Sequence, residues 1–193
     1  MPPKSKFSKE QIIDTAFALV ERDGADTLTA RTLGAALGSS ARPIFTAFNN
    51  MDDVRVGVIE RAKARYKSYV DEGLEQTPAF KGVGTAYIRF ALERPELFKL
   101  LFMRDGATVP VVYGVLNAID ENAERILKSI TDGYGLSDDK ARKLYLHLWL
   151  YTHGIAAAAV TGLCAFSASD ISELLTEEFN AILSQINREG ERT

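Results

Sequence analysis

Polar and apolar positions recur with a helical period along almost the whole chain. Ile13, Ala16, Phe17 and Val20 stand at i, i+3, i+4 and i+7, which is one apolar stripe of an amphipathic helix. Ser8 and Gln11 fit a capping box at its start, and Phe7 and Ile12 are spaced as a hydrophobic staple. Gly24 follows as a residue able to take the positive φ that ends a helix. Thr29 is placed to cap a short helix from Ala30 to Leu37, where Leu33 and Leu37 share a face one turn apart, and Gly38 closes it. Ser39 or Ser40 caps a third helix from Ala41 to Phe48, with Pro43 in its first turn, where a missing N–H costs little. Asn49-Asn50 stops that helix. Asp52-Asp53 opens a fourth, with its acids at the favourable end of the helix dipole, and this helix runs to about Asp71.

Thr77-Pro78 marks a break. Beyond it the pattern predicts helices at about 79–93, 95–103, 110–132, 138–166 and 169–188, with Pro95 starting the second and Gly133 and Gly135 bracketing a turn. Alternating β-branched runs are missing, no Asn-Gly or Asp-Gly hairpin signal separates apolar runs, and no period of 20–50 residues repeats. The expected fold is all-α with about nine helices. Residues 1–50 would form a small N-terminal domain, 51–71 a connecting helix and 76–193 a larger helical domain.

Composition narrows the class. A chain of 193 residues, 46% hydrophobic and 25% charged, has the makeup of a globular protein with a real core. That excludes a disordered chain, a collagen-like fibre and a disulfide scaffold. Cys164 is the single cysteine and has no intrachain partner; with two histidines it is too little for a structural zinc site of the common types. His147 and His153 lie about 240° apart around a helix and do not share a metal. Lys81-Gly82-Val83-Gly84 lacks the third glycine and the preceding strand of a nucleotide fingerprint. Glu93-Arg94-Pro95-Glu96 reads as a solvated helix junction. No catalytic residue, metal or cofactor is therefore assigned.

The N-terminus has no apolar h-region behind its basic residues, so no signal peptide is expected, and cysteine usage suits a reducing, cytoplasmic compartment. The uncharged run Leu144–Ser169 is long enough to cross a bilayer. It contains His147, Thr152, His153, Thr161 and two glycines around an alanine-rich middle, and reads better as a helix buried between other helices.

Net charge is −3, which gives no global signal for nucleic acid. The distribution is more informative. Leu28 to Val70 carries seven basic residues (Arg31, Arg42, Arg55, Arg61, Lys63, Arg65, Lys67) against three acidic ones, whereas the chain beyond Gln76 is mildly acidic. The basic excess coincides with two short helices joined by a tight turn at Gly38, the outline of a helix-turn-helix. In such a pair the first helix holds the second rigid, so that its outer face enters a DNA major groove. At about 100° per residue, Ile44 and Phe48 share the packed face with Ala41 nearby, Arg42 and Thr46 point the opposite way beside Pro43, and Phe45 lies on the flank. Arg42 can donate two hydrogen bonds to a guanine edge, and Thr46 can bond a base or touch a thymine methyl. Arg31, Ser39 and Ser40 are placed for phosphate contacts, which fix register. Helix-turn-helix pairs also occur as mere αα-corners, and the spacing alone leaves that reading open.

The run Thr27-Leu28-Thr29-Ala30-Arg31-Thr32-Leu33-Gly34-Ala35-Ala36-Leu37-Gly38-Ser39-Ser40, followed by Pro43 to Asp53, resembles the DNA-binding domain of the tetracycline-repressor (TetR) family. Leu28, Thr29, Leu33, Gly38, Ser40, Ile44, Phe48, Asn50 and Asp53 match the family pattern, as do Ile13, Ala16, Phe17 and Gly24 in the first helix. The resemblance covers about residues 8–60. It implies a DNA-contacting set of Thr29, Arg31, Ser39, Ser40, Arg42, Pro43, Phe45, Thr46, Asn49 and Asn50. The chain departs from the pattern where the family tyrosine is Phe45, its histidine is Ala47 and a frequent lysine is Met51. The first change removes a hydroxyl and the last a cation, which puts the usual phosphate clamp in doubt there.

Trp149-Leu150-Tyr151-Thr152-His153-Gly154 resembles a W-x-x-x-H-G signature in the ligand-binding domain of one TetR subgroup. Trp149 and His153 share a helix face. Taken singly, Trp149 reads as core and His153 as a satisfied interior polar group; taken together they read as a wall of an effector cavity. Phe98 and Phe102 are also one turn apart, after Pro95. If the two faces oppose each other, Phe98, Phe102, Met103, Tyr113, Trp149 and His153 would line a mainly apolar cavity for a small apolar or aromatic effector. The uncharged run offers no carboxylate for a cationic ligand. Gly154 and Ala156–Ala159 let another helix approach closely.

The resemblance implies a dimer whose last two long helices form a four-helix bundle, two recognition helices fitted to a palindromic double-stranded operator, and release by a small effector through the fourth helix. Repression is the commoner family behaviour. A small helical enzyme and a protein-interaction adaptor, each with a purely structural helix-turn-helix, are the rival readings.

Overall fold

A computed structural model describes residues 6–103 and 121–190. Nine α-helices and no strand occur among the described residues, as the periodicity predicts. The chain divides into two compact units, one of residues 1–65 with 94–105 and the other of residues 66–93 with 106–193.

The first unit opens with α1, Lys9–Asp23. Its capping box forms as the spacing predicts: Ser8 Oγ accepts from the Gln11 N–H at 3.1 Å, and Gln11 Oε1 accepts from the Ser8 N–H at 2.8 Å. Gly24, at φ +86°, ends the helix with its N–H donated to the Val20 carbonyl. A side chain there would also meet the Glu96 carboxylate at 2.7 Å, so this position favours glycine on two counts. A 3₁₀ turn, Ala25–Thr27, leads to α2, Ala30–Ala36, and α3, Arg42–Ala47. Thr29 caps α2 as expected and accepts from the Thr32 N–H at 3.1 Å.

The expected serine cap of α3 is corrected: the cap position is Ala41, already in the helical region of φ/ψ, and no side chain caps it. Ser40 Oγ reaches only the Arg42 N–H at 3.4 Å. With Pro43 in the first turn, one of the amides a cap would serve is absent. Helix α4, Met51–Leu74, starts in this unit and continues past Arg65 into the other. Helix α6, Pro95–Phe102, packs on α1. Ile12, Ala16, Val20, Leu28, Leu33, Ile44, Val54, Val58, Leu97 and Phe98 form this unit's core.

The second unit contains the rest of α4, with α5 (Ala79–Glu93), α7 (Ala123–Tyr134), α8 (Asp138–Val160) and α9 (Ala168–Gly190). Helix α5 is central and packs against α7, α8 and α9. Gly82 explains part of the tight connection between α4 and α5. A Cβ there would stand 2.2 Å from the Gly73 carbonyl oxygen, so two backbones meet where any side chain would separate them. This packing accounts for Gly82 without a nucleotide.

Two boundaries differ from the expected ones. Of the helix expected at 110–132, residues 110–120 lie outside the described residues, and α7 begins at Ala123. The helix expected at 138–166 ends at Val160. There Gly162, at φ +72°, donates to the Ala159 carbonyl and Leu163 to the Ala158 carbonyl, the paired bonds of a Schellman stop. The apolar run simply continues past that stop, which is why periodicity carried the helix too far. No helix among the described residues is long and apolar enough to cross a membrane.

Candidate functional sites

In the first unit, α2 and α3 pack as a pair, with Leu33 and Ile44 fully buried between the surrounding helices. Gly34 permits the close turn. A Cβ there would come 2.9 Å from the Ser40 carbonyl carbon and 3.0 Å from the Ala41 nitrogen. Burial of Ile44 turns the opposite face of α3 outward, and Arg42 and Thr46 are exposed on it. Phe45 is 50% exposed and Phe48 is half-buried, with the Lys9 ammonium 5.4 Å from its ring centroid. Thr46 Oγ1 donates back to the Arg42 carbonyl at 3.1 Å, which leaves its methyl and lone pairs outward. Arg31 and Ser40 are exposed; Ser39 and Pro43 are half-buried.

Charge pairing separates two kinds of basic residue. Arg55 is paired with Asp52 at 2.6 Å, Arg61 with Asp14 at 2.8 Å, Lys63 with Glu60 at 3.1 Å and Lys67 with Asp71 at 2.7 Å. Arg31 and Arg42 have no acidic partner among the described residues. The two short helices therefore each carry an arginine whose charge no acid among the described residues neutralises.

Two of the sequence-predicted residues have local work. Thr29 holds the start of α2. Asn50 Oδ1 accepts from the Asp53 N–H at 2.9 Å while Asp53 Oδ2 accepts from the Asn49 N–H at 3.1 Å, a reciprocal cap at the start of α4. These side chains fix where the exposed face ends.

The second unit contains a cavity of about 320 Å³, at the lower end of the range for small-molecule sites. Tyr66, Phe80, Tyr87, Tyr145, Trp149 and Phe179 give it aromatic walls. Val83, Leu148 and Leu175 fill between the rings, and Gly84 on α5 faces Leu175 and Thr152. The rings brace one another: Phe80 meets Tyr145 edge-on at 6.0 Å between centroids, and Tyr134 lies 4.9 Å from Phe179. Polar groups are few. Thr152 Oγ1 donates to the Leu148 carbonyl at 2.6 Å, and Lys81 Nζ donates to Thr176 Oγ1 at 3.2 Å. Burial raises the Tyr134 hydroxyl above its ordinary pKa.

Of the expected cavity residues, Trp149 lines the wall. His153 stands behind it, stacked on the Trp149 indole at 5.1 Å between centroids, with Nδ1 3.0 Å from the Tyr87 hydroxyl. Phe98 is fully buried in the first unit with Phe102 5.2 Å away, and Met103 is exposed; none of the three lines this cavity. Tyr113 lies outside the described residues. Phe80, Gly84 and Tyr87 on α5 and Leu175 and Phe179 on α9 are additions that periodicity signals only as apolar faces.

Burial lowers the His153 pKa below its ordinary 6.5. The unfolded chain then takes up this proton at higher pH than the folded one, so stability falls as pH drops through about 6.5. Urea unfolding across pH 5–7.5 should show this slope, and His153→Gln should flatten it. An unchanged slope in the variant would count against a neutral, Tyr87-bonded imidazole.

Residues 80–182 match the family described as tetracyclin repressor-like, C-terminal domain. An uncharacterized HTH-type transcriptional regulator of Mycobacterium tuberculosis is 24% identical over 163 residues, covering 82% of this chain and 72% of the relative.

Proposed function

The chain belongs to the tetracyclin-repressor-like family, and from that premise we propose that it is a cytoplasmic, dimeric DNA-binding transcriptional regulator, a repressor released from a palindromic operator by a small apolar or aromatic effector. One observation carries the DNA-binding part. The buried Ile44 face of α3 leaves Arg42 and Thr46 outward, on a helix pair whose two arginines, Arg31 and Arg42, have no acidic partner among the described residues. An unpaired guanidinium costs nothing to desolvate from a protein acid before it meets phosphate or guanine. The Mycobacterium tuberculosis relative supports the same reading through its name. An enzyme or an adaptor has no comparable set of residues behind it.

In this reading Arg42 and Thr46 read bases in the major groove, Arg31, Ser39 and Ser40 hold phosphates, and Thr29, Asn49 and Asn50 set the frame. Phe45 and Ala47 offer apolar contact where the resembling domains have hydroxyl and imidazole. A gel shift with DNA from upstream of the protein's own gene is the test. A discrete complex that survives competitor DNA is expected; smearing that vanishes equally with any competitor would refute sequence-specific binding.

Dimerisation is supported by an apolar face of α8. Leu150 is 51% exposed, Gly154 faces open space, Ala157 and Ala158 are half-buried, and Leu163 just beyond the helix is 83% exposed. These positions have the small-residue spacing that lets a second pair of helices approach, and a two-fold axis would place α8 and α9 of both copies together. Ala157→Glu should shift the protein to monomer in sedimentation at micromolar concentration. A wild-type monomer under the same conditions would remove the two half-site scheme.

A further inference from the structure

We infer that the cavity of the second unit selects an aromatic organic monoanion, with an aryl body between the rings and a carboxylate at the Lys81 ammonium. The inference rests on the reading of this cavity as the effector site and adds the charge class of its ligand.

Electrostatics of the wall make the choice. Among the described residues that line the cavity there is no aspartate or glutamate, and Lys81 is the one with a formal charge. Its ammonium bonds the Thr176 hydroxyl at 3.2 Å and has no acidic partner among the described residues. Glu72, in the adjoining groove that Lys81 also lines, is already bound to Arg89. Glu177 and Glu178 act on Tyr151 and are not lining residues.

The neutral polar groups point the same way. The Trp149 indole N–H has no hydrogen-bond partner among the described residues, and an indole only donates. Tyr134 is a neutral phenol at its ordinary pKa of about 10, and burial pushes it higher. The Thr152 proton is committed to the Leu148 carbonyl. The described lining thus presents one ammonium and neutral polar groups, Asn180 among them, with no carboxylate to receive a cation. A cationic ligand would lie beside an uncompensated ammonium, and a neutral one would leave the Lys81 charge unused. An anion can accept from Lys81 Nζ in a charge-assisted bond; Thr176 Oγ1, whose own proton goes to the Ser172 carbonyl at 2.6 Å, accepts from the same ammonium and holds it between α5 and α9. The aromatic walls then suit a flat body, edge or face against Phe80, Tyr145 and Phe179.

A matched series separates charge from shape: 4-phenylbutyrate, 4-phenylbutyramide and 4-phenylbutylammonium, each titrated against the full chain and followed by Trp149, the single tryptophan. Phenylbutyrate is expected to bind at least tenfold more tightly than the amide, and the amide more tightly than the ammonium. Lys81→Met should shrink the gap between acid and amide to within about twofold, and Lys81→Arg should restore most of it. Lys81 is exposed, so these variants retain the fold. Acid and amide binding equally, or the ammonium binding best, would overturn the charge class while leaving the cavity a ligand site. If none of the three perturbs Trp149 or gives heat in calorimetry, the effector-site reading falls with it.

Discussion

Arg42→Ala should weaken specific operator binding by about 1–3 kcal/mol, roughly a five- to hundredfold loss, and relax base preference at one position of each half-site. The side chain is exposed, carries no ion pair and lies opposite the buried Ile44, so its removal leaves the packing of α3 intact. Thermal unfolding should be unchanged within error. That combination separates a reading role from a folding one. Arg31→Ala is the internal control: a phosphate contact should weaken binding to all sequences alike and reduce its salt slope by about one. If Arg42→Ala binds the operator as the wild type does, the outward phase of α3 is not the reading face.

Phe90→Ala should have the largest effect on stability, about 3–5 kcal/mol. Phe90 is fully buried in α5, with ring centroids 5.4 Å from Tyr66 and 5.2 Å from Tyr69 on the last turns of α4. Truncation would open a cavity beneath the two tyrosine rings that pack on it. Tyr66 also lines the ligand cavity, and Tyr69 donates to Glu93 at 2.7 Å, so the loss spreads to the wall and to the end of α5. Urea unfolding gives the size of the effect directly. A cost under 1 kcal/mol would mean that the α4–α5 contact relaxes freely.

Local signals in the sequence were legible where one residue type does one job. The Ser8/Gln11 box, the Thr29 cap and the positive-φ Gly24 all follow from short spacings, and so does the inward turn of Ile44. Signals failed where a second partner decides. Ser40 looks like a cap, but Pro43 and the helical conformation of Ala41 leave it little to do. The stop at Gly162 interrupts an apolar run that periodicity reads as one helix.

The ligand cavity was half legible for a similar reason. Trp149 and His153 share a face in any helix, but what faces them depends on packing that period alone does not encode. Phe98 and Phe102 have the same spacing as Trp149 and His153, yet Phe98 packs in the first unit, on the helix that meets α1. The partners that do face Trp149 across the cavity come from α5 and α9. Gly84 among them is legible only once its neighbours Thr152 and Leu175 are known.

Hydroxyl-radical footprinting on DNA from upstream of the gene tests the central claim most directly. Two recognition helices on a two-fold axis should protect two half-sites on one face of the duplex, centred about one helical turn or a multiple of it apart, and Arg42→Ala should lose both protections together. A single protected patch, or protection that ignores sequence and persists in Arg42→Ala, would contradict a dimer that reads DNA through α3.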